Sequence, residues 1–176
     1  MSVPAAASAA IQTERLILEP VAEAHRADFI AFLGDPAVMS VRKLGVLDAP
    51  AASAVVVRMI AQWPAYGYGM YAVIERESGA FIGECGLRAP DQGTAPELSY
   101  GLLTPARRKG YAREAATATI RHGFETLGCD RLVAFARGDN AISRSLLESL
   151  GFSLVGERPK NGYTVVQYAA EAAVTH

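Results

Sequence analysis

Apolar residues along this chain switch between two periods, and the switches mark out its elements. Alternation with polar residues predicts a strand; recurrence every three or four residues predicts a helix. Residues 13–20, TERLILEP, set Leu16 and Leu18 against Arg15, Ile17 and Glu19, a strand stopped by Pro20. Residues 23–33 carry Ala24, Ala27, Phe29, Ile30 and Leu33 near helical spacing, and Gly34-Asp35-Pro36 ends that helix. A loop at 39–50 precedes a second helix over 51–63, broken by Pro64. Strands at 70–74 and 81–87 flank a polar, glycine-containing turn and read as a hairpin. Gly83 and Gly86 in its second arm predict a bend or the close approach of another backbone. A turn at 91–93 leads to a third strand of the meander, 97–103.

The helix predicted over 112–127 has the most regular pattern. Ala112, Ala115, Ala116, Thr119, Ile120, Gly123, Phe124 and Leu127 fall on one face, and Gly128 is placed to stop it. The residues nearest its start are small, so that end can lie very close to a sheet. A strand at 131–137, a GDN turn, a helix at 141–150 closed by Gly151, and strands at 152–157 and 163–171 complete the chain. The order β-α-α-β-β-β-α-β-α-β-β, free of repeats and low-complexity linkers, predicts one α/β (α+β) domain. Its sheet has about seven strands, mostly antiparallel, flanked by helices. The domain is expected over 13–172, after a flexible tail of residues 1–12.

Composition narrows the picture without changing it. A chain of 176 residues with 51% hydrophobic and 20% charged residues suits a single globular domain. Net charge is −1, which removes any global electrostatic argument for a nucleic-acid or membrane partner. An anion site must therefore be local. Cys85 and Cys129 read as small buried thiols, and no cluster of metal ligands is visible, so no metal is expected. No apolar run approaches the ~20 residues of a membrane span. The start, MSVPAAASAA, lacks the basic segment and apolar core of a signal peptide, so a cytoplasmic protein is expected.

One stretch stands apart. TPARRKGYAREAATATI packs Arg107, Arg108, Lys109 and Arg113 around Gly110 just before the small-faced helix begins. The first N–H groups of a helix have no intrahelical partner, and the macrodipole adds partial positive charge there. Gly110 permits a backbone turn that aims successive N–H groups into one concavity. Such a nest, ringed by cations, suits a phosphate. A solvated basic loop is the bland alternative. A nucleic-acid patch lacks a wider basic face, and a Walker loop is excluded because GxxxxGK is absent.

These residues resemble the signature of the GNAT superfamily of acetyl-CoA-dependent N-acetyltransferases, Arg/Gln-x-x-Gly-x-Gly/Ala, here Arg107-Arg108-Lys109-Gly110-Tyr111-Ala112. The likeness extends over about residues 13–170. TERLILEP, WPAYGYGMYAVIERESGAFIGECGLR, PELSYGLLTP and GDNAISRSLLESLGFSLVGE are similar to the RimJ/RimL-type, ribosomal-protein N-terminal acetyltransferase branch. The resemblance implies an acetyl-CoA pyrophosphate on the backbone of 108–112. It also implies pantetheine pairing along Leu102 and Leu103, and Asn140 and Ser143 facing the cofactor across a cleft between the strands at 97–103 and 131–137. The acceptor would be a primary amine, either a protein N-terminus or a small molecule. Many relatives form dimers, so a homodimer is compatible.

Acetyl transfer from a thioester needs a base for the amine, a donor for the oxyanion of the tetrahedral intermediate and a proton for the leaving thiolate. It needs no enzyme nucleophile. By family pattern Glu97 is the candidate base, and the Leu103 backbone N–H the candidate oxyanion donor. A strand-end surface glutamate is the alternative for Glu97. The tyrosine acid that many GNAT enzymes carry seven residues after the asparagine is Leu147 here, so Ser143 becomes the candidate proton donor. A first-turn serine is its alternative reading. The missing tyrosine also admits a non-catalytic CoA-binding domain. Trp63, Tyr66 and Tyr68 are open between acceptor pocket and packing. The 39–50 loop, with its VRKLG segment, is expected on the acceptor side. His25, His122 and His176 have no partner visible in sequence.

Overall fold

A computed structural model describes residues 9–173. Residues 1–8 of the expected tail, and His176, lie outside the described residues. Two short pieces open the sheet: β1 (Ile11–Gln12) and β2 (Leu16–Pro20), antiparallel to each other. Ile11 and Gln12 thus belong to the sheet, and the tail expected through residue 12 is corrected at that edge. A 3-10 turn (Glu23–His25) leads into α1 (Arg26–Leu33). The Gly34-Asp35-Pro36 stop also starts the next helix, because the Asp35 carboxylate accepts from Ala37 N–H and caps α2 (Pro36–Met39).

The second predicted helix is longer than expected. α3 (Ala49–Tyr66) is capped by Asp48 through Ala51 N–H, and it runs past Pro64 to Gly67, whose φ of 79° ends it. A proline near the last turn removes one hydrogen bond, and buried Trp63 anchors that turn against Tyr71 at 5.0 Å. Strands β3 (Met70–Glu75), β4 (Phe81–Arg88) and β5 (Glu97–Leu102) form the predicted meander. β3 is buried on both faces: Met70 and Ala72 point to one core, Tyr71 and Val73 to the other. A Cβ on Gly83 would collide with the Gly101 carbonyl, and one on Gly86 with the Gly69 carbonyl, so both glycines mark close backbone approach.

After a 3-10 turn (Thr104–Ala106), α4 (Tyr111–Arg121) ends in a π-type turn (His122–Thr126). Its small face is the predicted one: Ala115, Ala116 and Thr119 are essentially inaccessible, and Thr119 Oγ1 donates to the Ala115 carbonyl at 2.9 Å. β6 (Arg131–Arg137), α5 (Ala141–Ser149), β7 (Ser153–Lys160) and β8 (Tyr163–Glu171) follow. β7 runs beyond the predicted 157 because Asn161 and Gly162, at φ 45° and 84°, make a two-residue hairpin turn into β8.

The sheet has eight strands in the order β1-β2-β3-β4-β5-β6-β8-β7. All neighbours are antiparallel except β5 and β6. One core lies between the sheet and α4 and α5; the other lies under α1 and α3 around Phe29, Phe32, Val56 and Met59. The sheet is therefore covered on both faces, and a ligand can reach its middle only through a break.

Candidate active site

That break is the β5–β6 pair. Only Glu97–Val133 and Leu98–Ala134 are in register. β5 then continues along β4 to Leu102, while β6 follows β8 to Arg137, so the two parallel strands separate. Backbone polar groups along the separating edges are left facing the gap, where only a ligand or water can satisfy them.

At the open end the chain leaves β5 and turns into α4. Gly110 stands at φ 81° as the residue before the helix, and Arg108 adopts φ 62°, a left-handed conformation that non-glycine residues take at a cost of roughly 1–2 kcal/mol. Among the described residues, none of the backbone N–H groups from Arg108 to Arg113 has a hydrogen-bond acceptor. The side chains of Arg108, Lys109 and Arg113 are exposed or at the rim and make no ion pair among the described residues. Unpaired N–H groups beside exposed cations are the geometry that an anion nest requires. Arg107 departs from expectation. Its guanidinium donates to the carbonyls of Leu102 (3.2 Å) and Ala37 (2.9 Å), joining β5 to α2.

The loop is braced from the turn between β1 and β2, a feature the sequence did not announce. Arg15 Nη1 donates to the Lys109 carbonyl at 2.7 Å, its Nε to Glu114 at 2.7 Å, and its guanidinium lies 4.5 Å from the Tyr111 ring centre. Glu114 also accepts from Thr13 Oγ1 and Arg15 N–H. Burial alone would raise the Glu114 carboxyl; these donors outweigh it and hold the group below the ordinary carboxylate value. Tyr111 donates to Glu75 at 2.6 Å, tying the first turn of α4 to the end of β3.

Across the gap, Asn140 caps α5 through Ser143 N–H at 3.2 Å, which leaves its amide nitrogen without a partner among the described residues. Ser143 Oγ lies 3.0 Å from Tyr100 Oη, and Tyr100 also reaches the Ser143 carbonyl at 3.2 Å. Burial pushes the Tyr100 phenol up to about 12, so it stays protonated. Leu147 is a core residue of the helix face beneath.

A family model described as "Acetyltransferase (GNAT) domain" matches residues 15–153. The chain belongs to the GNAT acetyltransferase family. An uncharacterized N-acetyltransferase, p20, of Bacillus licheniformis is 30% identical over 83% of both chains. An acetyltransferase from Agrobacterium tumefaciens str. C58 is 28% identical, with a TM-score of 0.82 over 93% of this chain and 94% of that one. RimL, a ribosomal L7/L12 alpha-N-protein acetyltransferase solved in complex with coenzyme A, shares the fold: TM-score 0.77 and 19% identity over 93% and 98% of the two chains. The protein is thus an acetyl-CoA-dependent N-acetyltransferase.

In this acetyltransferase the family pattern needs one correction. The Leu103 N–H donates to the Ile82 carbonyl at 2.8 Å, so it is committed to β4 and cannot meet an oxyanion. Strand alternation then turns the N–H groups of Tyr100 and Leu102 the other way, toward the gap. The Leu102 carbonyl already accepts from Arg107 there.

The gap of the acetyltransferase opens into a cavity of about 300 Å³, which Tyr100, Asn140 and Ser143 line together with residues of the 39–50 loop, β6 and β7. Met39 and Val41 to Leu44 of the 39–50 loop line it, and Glu97 stands in its wall with its carboxylate on Lys43 Nζ at 2.6 Å. Sequence reading missed Glu84, fully buried on β4. One of its oxygens takes both Arg42 (2.6 Å) and Arg88 (3.3 Å); the other has no partner among the described residues. A glutamate inside the otherwise apolar FIGECGLR strand was the available signal. Trp63 is buried with its Nε1 on the Met70 carbonyl and Tyr68 packs against the same core, while Tyr66 stands exposed beside Tyr68; none of the three lines the cavity. His25 is held by Glu19 at 2.8 Å. Burial pushes the Cys85 thiol up to about 12 and raises Cys129 as well, consistent with inert thiols.

Proposed function

We propose that this enzyme moves the acetyl group of acetyl-CoA onto a primary amine, a protein N-terminus or a small molecule, by direct attack of the amine on the thioester. One observation carries the reading: a nest of free N–H groups, ringed by Arg108, Lys109 and Arg113, stands at the open end of a gap between two parallel strands. The nest fits a diphosphate. The gap fits an extended arm that pairs with the edge of β5, as a third strand would. That RimL of the same fold was solved in complex with coenzyme A supports coenzyme A as the kind of ligand.

The residues then divide the work. Arg108 to Ala112 hold the diphosphate through backbone N–H groups, and Asn140 offers its free amide to the arm. The Tyr100 or Leu102 N–H meets the oxyanion as it forms. Ser143 sends its proton to the departing sulfur, with its Oγ held by Tyr100. Glu97, released from Lys43, takes the amine proton directly or through water. Alignment of amine and thioester in the cleft supplies much of the rate.

Calorimetric titration with acetyl-CoA tests the reading, beside a variant carrying Arg108→Glu and Gly110→Asp. Micromolar binding that the folded variant loses is the expected result. Absence of binding by the folded native chain would overturn it. Binding without CoA release on any amine would point instead to a non-catalytic CoA-binding domain.

A further inference from the structure

The acceptor cavity is strongly unbalanced in charge. Six cations line it, Arg42, Lys43, Arg88, Arg137, Arg158 and Lys160, against two carboxylates, Asp91 and Glu97. Four of the cations have partners: Arg42 and Arg88 share one oxygen of Glu84, Lys43 holds Glu97, and Arg137 holds Asp139 at 2.8 Å. Arg158 and Lys160, neighbours on one face of β7, have no ion-pair partner among the described residues. The Phe135 ring gathers the surplus beside the base. Lys43 Nζ lies 4.7 Å from its centre and the Arg158 guanidinium 5.9 Å. Both cations are exposed, and their stacking on one ring fixes where their charge stands for an incoming anion.

This imbalance is local. The whole chain carries −1, so nothing global requires it. The diphosphate nest at the start of α4 is a separate structure, built from other residues. A cleft lined by one sign of charge concentrates ligands of the other sign and excludes those of its own. Polyamines and basic peptides are therefore poor occupants.

Resting on the acetyltransferase reading above, we infer that the acceptor is an amine that also carries an anionic group, and that Lys43, Arg158 and Lys160 around Phe135 hold that anion. The same contact explains how the base becomes available. In the absence of acceptor, Lys43 occupies Glu97. An acceptor anion that draws Lys43 away leaves the Glu97 carboxylate free for the ammonium of the same molecule. Charge at both ends of the acceptor would then be matched, with the amine on Glu97 and the anion on the cations of the loop and β7.

The test is calorimetry on the protein saturated with coenzyme A, which needs no turnover. The probes are amidated tripeptides that begin with serine and continue with two aspartates, two asparagines or two lysines. Free aspartate and asparagine serve as small-molecule counterparts. At least one acidic probe is expected to bind about tenfold tighter than its amide, and the lysine peptide weakest. Preference for the peptide or for the free amino acid identifies the source of the anion. The double variant Arg158→Glu, Lys160→Glu is expected to abolish the acidic preference. Equal binding of acidic and amide probes, or tighter binding of the lysine peptide, would overturn the inference. So would loss of coenzyme A binding in the double variant, which would assign these cations to the cofactor. Tight acidic binding without acetylation of any probe would sustain the pocket and count against the acetyltransferase mechanism instead.

Discussion

Tyr100 and Ser143 lie at opposite walls of the gap with their hydroxyl oxygens 3.0 Å apart, and either can donate to the other. A serine hydroxyl is a weak acid on its own. When Tyr100 donates to its oxygen, the serine proton is left free to turn toward the departing sulfur. Ser143→Ala is expected to lower kcat roughly 10- to 100-fold, with the KM for acetyl-CoA within about threefold of native. Tyr100→Phe removes only the supporting hydrogen bond, about 1 kcal/mol or roughly fivefold in rate. Burial keeps the Tyr100 phenol near 12, so it does not ionise as pH rises through the working range. The kcat–pH profiles of native enzyme and Tyr100→Phe should therefore share one basic limb. A limb that disappears in the variant would identify Tyr100 itself as the titrating acid.

At the scale of elements, the start of α4 depends on one backbone conformation. Gly110 sits at φ 81°, and a Cβ there would approach Arg15 Nη2 to 3.3 Å. The side-chain end can move aside; the left-handed backbone cannot be avoided. Gly110→Ala is expected to cost about 1 kcal/mol in urea unfolding and to weaken acetyl-CoA binding as the N–H groups lose their common aim. α4 and β6 were legible because each repeats a clean period, and β8 because Val165, Val166 and its tyrosines favour a strand. The Asn161-Gly162 turn was missed: the strand reading stopped at residue 157, although an Asn-Gly pair between strands is a hairpin signal. α3 ran past Pro64 because Trp63 packs against Tyr71, a tertiary contact that no local propensity contains. The Leu103 error was one of parity. Which N–H groups of β5 face the gap depends on its register with β4, and a one-residue slip exchanges the two sets.

Over the whole molecule, the site depends on pairs that are distant in sequence: Arg42 with Glu84, Tyr100 with Ser143, and Arg15 and Thr13 with Glu114. No period announces such pairs, which is why the cation loop and the acetyltransferase signature were readable while their braces were not. Glu114 is the most informative brace, because it fastens the entry to β2 onto the first turn of α4. Its folded carboxyl lies below the ordinary value of 4.5. A depressed carboxylate contributes stability that is present above the unfolded value and is lost as pH falls through the folded one. Arg15 is partly exposed, so solvent screening limits the contribution to about 1 kcal/mol. Glu114→Gln keeps the shape and one acceptor oxygen but loses the charge. Urea unfolding of the two proteins should therefore differ by a constant amount at neutral pH. The difference should shrink once the pH drops below 4.5 and vanish in stronger acid, where the native carboxyl is also protonated. A difference that persists unchanged into acid would mean that Glu114 acts through packing rather than charge, and that the nest is held by Gly110 and Tyr111 alone.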